Sequence, residues 1–171
     1  YRALTLFCIQ NHLFHKDGLD VKGLEKTIES IEVNFIQNPE TGKPDIYLNG
    51  RNVEVEIRSM EVSRKVSIVS SVSIVRKKMV RLQQEMGKQK GVVMDGRDVG
   101  TVVLPDAELK IFLTASLDVR AKRRFDELRS KGDANTSLEE VLDNLKERDF
   151  LDENREEGPL RKAKDAIGLD N

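Results

Sequence analysis

Two stretches of this chain carry side chains whose types and spacing suit chemistry. The first is Met94-Asp95-Gly96-Arg97-Asp98-Val99-Gly100-Thr101, which gathers two carboxylates and a guanidinium around two glycines. Glycine lets a backbone turn tightly and approach a ligand closely. The carboxylates can accept from hydroxyl or amine groups, and the guanidinium can donate to phosphate. The stretch directly follows Val92-Val93-Met94, an apolar run without alternation that is expected to be a strand buried on both faces. In open α/β sheets ligands bind beyond the carboxyl ends of the strands, so that placement favours a binding role over a tight turn with solvated charges.

The second stretch is Val141, Leu145, Arg148, Asp152 and Arg155, at spacings of four, three, four and three. These positions share one helical face, apolar at its start and Arg-Asp-Arg at its end. Paired guanidiniums can clamp phosphate oxygens while an aspartate accepts from sugar hydroxyls. A surface ion-pair ladder of little energetic consequence fits the same spacing equally well. A third feature, the basic run Arg120, Lys122, Arg123, Arg124, Arg129 and Lys131, is either a solvated helix face or a cover for a triphosphate. His12 and His15 have no ligand-like spacing.

The elements that must position these groups follow from periodicity. Tyr1–Asn11 reads as a buried helix, Asp17-Gly18 as a break, and Val21–Ser30 as a short second helix. The period then becomes two: Ile31, Val33 and Phe35, then Ile46 and Leu48, then Val53, Val55 and Ile57. Asn49-Gly50 is a strong hairpin signal, so three antiparallel strands with one wet face are expected. Met60–Met86 reads as helix, with Val75, Met79, Leu82 and Met86 as core positions. Lys110–Leu113 is a second expected buried strand, and Asp165–Asn171 resembles a third. Ser116 is a good N-cap for a helix running to Lys131-Gly132, packed through Leu117, Ala121, Phe125 and Leu128. Ser137 and Glu140 form a capping-box pattern for another. Buried strands alternating with helices imply a parallel α/β sheet.

Composition narrows the function. Lys+Arg (29) and Asp+Glu (30) nearly cancel over 171 residues, which excludes a protein whose main business is coating nucleic acid. Any bound anion must therefore be held by a local basic cluster. Cys8, the only cysteine, excludes an internal disulfide and a Cys-based zinc site, and suits a reducing compartment. No apolar run approaches the roughly 18 residues that span a bilayer, and no signal peptide is visible. A cytoplasmic monomer is expected, the latter because no spare apolar face is apparent. Both ends read as cut.

The segments Gly91–Ser116, Lys146–Leu160 and Glu56–Val62 resemble blocks of the bacterial cytidylate kinases, and Tyr1-Arg2 resembles the end of that family's Asp-Thr/Ser-Gly-Ala-hydrophobic-Tyr-Arg motif. The resemblance covers almost the whole chain in order. It implies a P-loop kinase type α/β fold, with a parallel sheet flanked by helices. Residues 1–30 and 60–171 would form the core domain, 31–59 a three-stranded antiparallel insert of the monophosphate-binding subdomain, and about 120–136 a helical lid. It implies phosphoryl transfer from ATP, accompanied by Mg²⁺, to CMP or dCMP, without nucleic acid or membrane partners.

Site residues follow by resemblance too. Ser67, Arg76 and Asp98 would read cytosine. Arg2, Arg97 and Arg155 would hold the acceptor phosphate, and Asp152 with Arg148 the ribose. Tyr1, Arg58 and Asp95 would lie in or beside that site, and Arg120, Arg123 and Arg124 in the ATP lid. Arg97, Arg148 and Arg155 would be the catalytic charges. The family's glycine-rich Walker A loop lies upstream of Tyr-Arg, so residues 1–171 alone are expected to be inactive and poorly stable. A kinase for UMP, AMP or a sugar, and a non-catalytic nucleotide-binding module, are the competing readings.

Overall fold

The computed structural model describes all of Tyr1–Asn171. The chain divides into two compact units, Tyr1–Met79 and Val80–Asn171.

The first unit opens with helix α1 (Arg2–Gln10), whose Ala3, Leu4, Leu6 and Cys8 are buried. A small hairpin follows, β1 (Phe14–His15) with β2 (Gly18–Leu19), turning at the Asp17-Gly18 break. Helix α2 (Val21–Thr27) is capped by Asp20, whose side chain accepts from the Gly23 amide at 2.9 Å, and tightens into a 3₁₀ turn at Ile28–Ser30. Strands β3 (Val33–Gln37), β4 (Pro44–Leu48) and β5 (Arg51–Asn52) form an antiparallel sheet in that order. Asn49 and Gly50 both have positive φ (48° and 78°), the backbone that a two-residue hairpin joining Leu48 to Arg51 requires.

The third strand is shorter than expected. Val53 still pairs through its amide with the Ile46 carbonyl, but the chain then coils into a 3₁₀ turn at Glu56–Arg58. Val53 and Ile57 are buried while Val55, between them, is 82% exposed. Residues four apart share a face in a helical turn as well as in a strand, so both periods account for Val53 and Ile57.

The expected single helix across Met60–Met86 is two, α3 (Met60–Ser71) and α4 (Ser73–Lys88), with extended backbone at Val72. Ser70 and Ser71 donate back to the carbonyls of Ser67 and Ile68 at the end of α3. Such local bonds and the β-branched valines weaken a continuous helix. Helix α1 packs on α3, on β4 and on the Glu56–Arg58 turn.

In the second unit, Val92-Val93-Met94 forms no strand, and Val93 is fully exposed. An apolar run becomes a strand only where neighbouring backbone completes its ladder, and this one has no pairing partner. A π-helical turn at Val99–Val103 follows. Strand β6 (Ile111–Thr114) lies parallel to β7 (Ile167–Asp170), with helices α5 (Leu117–Ser130) and α6 (Leu138–Asn154) between them in sequence. Ser116 caps α5, and Ser137 with Glu140 makes both bonds of a capping box on α6. The two helices pack together through Ala121, Leu128 and Val141. The parallel pairing matches expectation, but burial on both faces does not. Ile111, Leu113, Ile167 and Leu169, aligned in register, are 52–62% exposed. An unbroken apolar run specifies no covered face by itself; coverage depends on what packs against it. This row is also the spare apolar face that the sequence did not reveal.

The architecture is mixed α/β, with three small sheets. No helix is long and apolar enough to cross a membrane.

Candidate active site

In the second unit the 94–101 stretch is organised by Asp98. Its carbonyl accepts from the amides of Thr101, Val102 and Val103, which starts the π-helical turn and holds the residue in place. Gly96 is required by close approach, since a Cβ there would stand 2.8 Å from a Val99 methyl. Asp98 is 5% exposed, whereas Asp95 is exposed.

Helix α6 presents Arg148 and Asp152 on one face, Arg155 caps its end in extended backbone, and the tail beyond folds back, the Leu160 amide donating to the Asp152 carbonyl at 2.8 Å. Asp152 is 3% exposed. One of its carboxylate oxygens accepts from Arg97 Nε at 2.9 Å, and the other lies 3.6 Å from Arg155 Nη1. Arg155 Nη2 in turn lies 3.6 Å from Asp98 Oδ1, and its Nε donates to the Gly158 carbonyl at 2.7 Å. Arg97, Asp152, Arg155 and Asp98 thus form an alternating chain of charges. The surface-ladder reading fails here: the Arg155 side chain is only 6% exposed. The sequence could not decide this, because spacing sets a face but not what covers it.

Arg148 adds a further positive charge. Burial is the largest influence lowering its pKa, followed by the nearby positive charge of Arg97; Arg124 acts in the same direction, against Asp152 and Asp149. A buried guanidinium beside other cations is costly unless anions join it. Arg148 and Arg155, both largely covered, stand beside the exposed Arg97, and such a cluster suits a phosphate-bearing ligand.

The three arginines expected in the lid separate in the structure. Arg123 is exposed. Arg124 pairs with Glu127 at 2.7 Å, and the Glu127 carboxyl is held down to about 2, chiefly by its hydrogen bond from Lys131 and also by Arg124. Arg120 pairs with Asp149 at 2.8 Å. Asp149 and Glu127 were not singled out in the sequence. Their only local signal was position on charged helices, and Asp149 meets its partner across 29 residues.

The first unit carries the remaining expected residues. Arg76 is 2% exposed on α4, its guanidinium 5.9 Å from the centre of the Tyr1 ring. Ser67 is 4% exposed on α3. Arg2 donates to the Ile57 carbonyl at 2.9 Å, tying α1 to the Glu56–Arg58 turn. Arg58 is exposed and its Nε donates to Glu54 at 2.8 Å. Tyr1, Arg2 and Arg76 are therefore joined to this unit's core, while Arg58 reaches outward along the insert.

No three His, Cys, Asp or Glu side chains converge as a metal cage.

Comparison with known proteins agrees with this chemistry. The sequence profile of the family described as Cytidylate kinase matches residues 1–171. The chain is 57% identical to a cytidylate kinase of Bacteroides thetaiotaomicron and 58% identical to one of Parabacteroides distasonis, in each case over all of this chain and 74% of the relative. A cytidylate kinase of Flavobacterium psychrophilum is 52% identical, over all of this chain and 75% of its own length. Matched by the family over its whole length and by these relatives at more than half identity, this chain belongs to the cytidylate kinase family.

Proposed function

We propose that the protein transfers the γ-phosphoryl group of ATP to CMP, giving ADP and CDP, with dCMP as a second acceptor. The observation that most supports this is the Arg97–Asp152–Arg155–Asp98 chain, buried at every member but Arg97, with Arg148 beside it. In the reaction an oxygen of the CMP phosphate bonds to the γ-phosphorus as the bond to the β-phosphate oxygen breaks. Positioning and charge stabilisation supply most of the catalysis in such transfers, so no nucleophilic side chain is needed.

In this reading Arg97, Arg148 and Arg155 steady the charge on the acceptor and transferring phosphoryl groups. Arg2 adds to the acceptor-phosphate contacts, and Asp152 with Arg148 takes the ribose hydroxyls. Ser67, Arg76 and Asp98 select cytosine, with Tyr1, Arg58 and Asp95 beside the acceptor. Residues of about 120–136 close over ATP and exclude water. Mg²⁺ comes with ATP as part of that substrate and neutralises phosphate charge. The β6–β7 pair is read as two strands of a P-loop kinase type parallel sheet, with residues 31–59 as the monophosphate-binding insert. A cytoplasmic location fits this role.

A coupled ADP-release assay on the full-length gene product tests the reading. Turnover should require CMP or dCMP together with Mg²⁺ and ATP. Comparable turnover with UMP or AMP would make it a broader monophosphate kinase, and nucleotide binding without turnover would make it a non-catalytic module.

A further inference from the structure

We infer that Arg120 and Asp149 are a positioning pair that holds Arg148 for phosphoryl transfer, and that Arg120 is not a contact for ATP. The inference rests on the kinase reading above and changes the duty of one basic side chain within it. Arg120 is committed at two points. Its Nη1 lies 2.8 Å from Asp149 Oδ2, and its Nε donates to the Ala115 carbonyl at 3.1 Å. Ala115 sits between the end of β6 and the Ser116 cap of α5, so one guanidinium fastens the β6–α5 junction to α6. Both side chains are largely covered, at 34% and 25% exposure. An arginine that reached for a triphosphate would first abandon a charge-assisted bond and a half-buried carboxylate. Arg123, one turn further along α5, is exposed.

Asp149 stands next to Arg148 in sequence, and its charge favours the Arg148 cation against Arg97 and Arg124. Asp149 faces Arg120 across the α5–α6 packing, and fastening it there fixes the segment of α6 that carries Arg148. Without Arg120 the carboxylate is released to pair with Arg148 and to compete with the phosphate that Arg148 should meet. A misplaced charge of this kind slows the transfer step more than it weakens substrate binding.

Steady-state kinetics on the full-length gene product separates the two roles. Arg120→Ala and Asp149→Asn should each lower kcat by roughly 10- to 100-fold, with the KM for ATP changed by no more than about twofold. Arg120→Lys, which keeps the pair but not the fork to Ala115, should recover part of the loss, and so should the double reversal Arg120→Asp/Asp149→Arg. If Arg120→Ala fails to fold, Asp149→Asn and Arg120→Lys read the same quantities. A KM for ATP raised about tenfold at unchanged kcat in the Arg120 variants would make Arg120 a donor contact and overturn the inference alone. Failure of the wild-type protein to phosphorylate CMP would overturn it together with the kinase reading.

Discussion

Arg97 and Asp152 lie 55 residues apart in sequence and meet at 2.9 Å, nitrogen to oxygen, with the aspartate almost wholly buried. That bond joins the glycine-flanked stretch to the polar end of α6, and Arg155 extends it to Asp98 on the same stretch. A buried carboxylate between two guanidiniums needs both, and each guanidinium is oriented by it. Site geometry and local stability are therefore coupled.

Arg155→Ala should lower kcat/KM by at least roughly a hundredfold, as expected when a catalytic charge is removed. It should also lower the melting temperature, because Asp98 and Asp152 are left with less compensation. The destabilisation should be about 1–3 kcal/mol, the cost of an unsatisfied buried polar group. Arg155→Lys should regain melting temperature ahead of activity, since an ammonium replaces the charge but not the planar fork. Steady-state kinetics beside thermal melts checks this, and normal turnover in Arg155→Ala would sink the role assigned to it.

Base choice should follow Asp98. Cytosine presents an amine donor where uracil presents a carbonyl, so a mismatch leaves a buried polar group unpaired at a cost of about 1–3 kcal/mol. Isothermal titration of the full-length gene product should show CMP bound roughly tenfold to a hundredfold more tightly than UMP or AMP. Equal affinities would remove Asp98 from that role.

Cys8 is fully buried in α1, and burial pushes its thiol up to about 11. Because the folded state holds this proton more tightly, the contribution to stability is intact below the ordinary thiol pKa and is lost as pH rises through about 11. Ellman's reagent at pH 8 should leave the folded protein unlabelled and react fully once denaturant is added. Rapid labelling without denaturant would contradict the burial.

The exposed row Ile111, Leu113, Ile167 and Leu169 makes the parallel pair the least protected sheet in the protein. Parallel sheets are stable when covered on both faces. A protein made only of residues 1–171 should bind the dye ANS, and Leu113→Lys with Leu169→Lys should lower that binding. Dye binding that is absent, or unchanged by the two substitutions, would refute this.

The capping box on α6 offers a control remote from the charged end. Ser137→Ala should cost about 1 kcal/mol and shift the melting temperature by a few degrees. Because Ser137 caps the start of α6, at the opposite end from Asp152 and Arg155, kcat should stay within about twofold. A large loss of kcat would mean that the N-terminus of α6 also sets the arginine row.

The sequence by itself determined the features written in local chemistry. Asn49-Gly50 required a left-handed turn, Ser116 and Ser137 placed helix starts through side-chain bonds to nearby amides, and the four-residue spacing put Arg148 and Asp152 on one helical face. The family resemblance also lay in contiguous residues, from Tyr1-Arg2 to the α6 arginines. Only the tertiary structure decided how far those local preferences carried. Val53 and Ile57 satisfy a strand and a helical turn alike, and the exposed Val55 shows which one formed. Val92 and Val93 have strand-forming side chains but no backbone ladder to join. The Arg-Asp-Arg row could have been a solvated ladder until Arg97 and Asp98 closed over it, and Arg120 was one basic residue among several until it met Asp149. Periodicity fixes direction within an element; burial and charge pairing are set by partners distant in sequence.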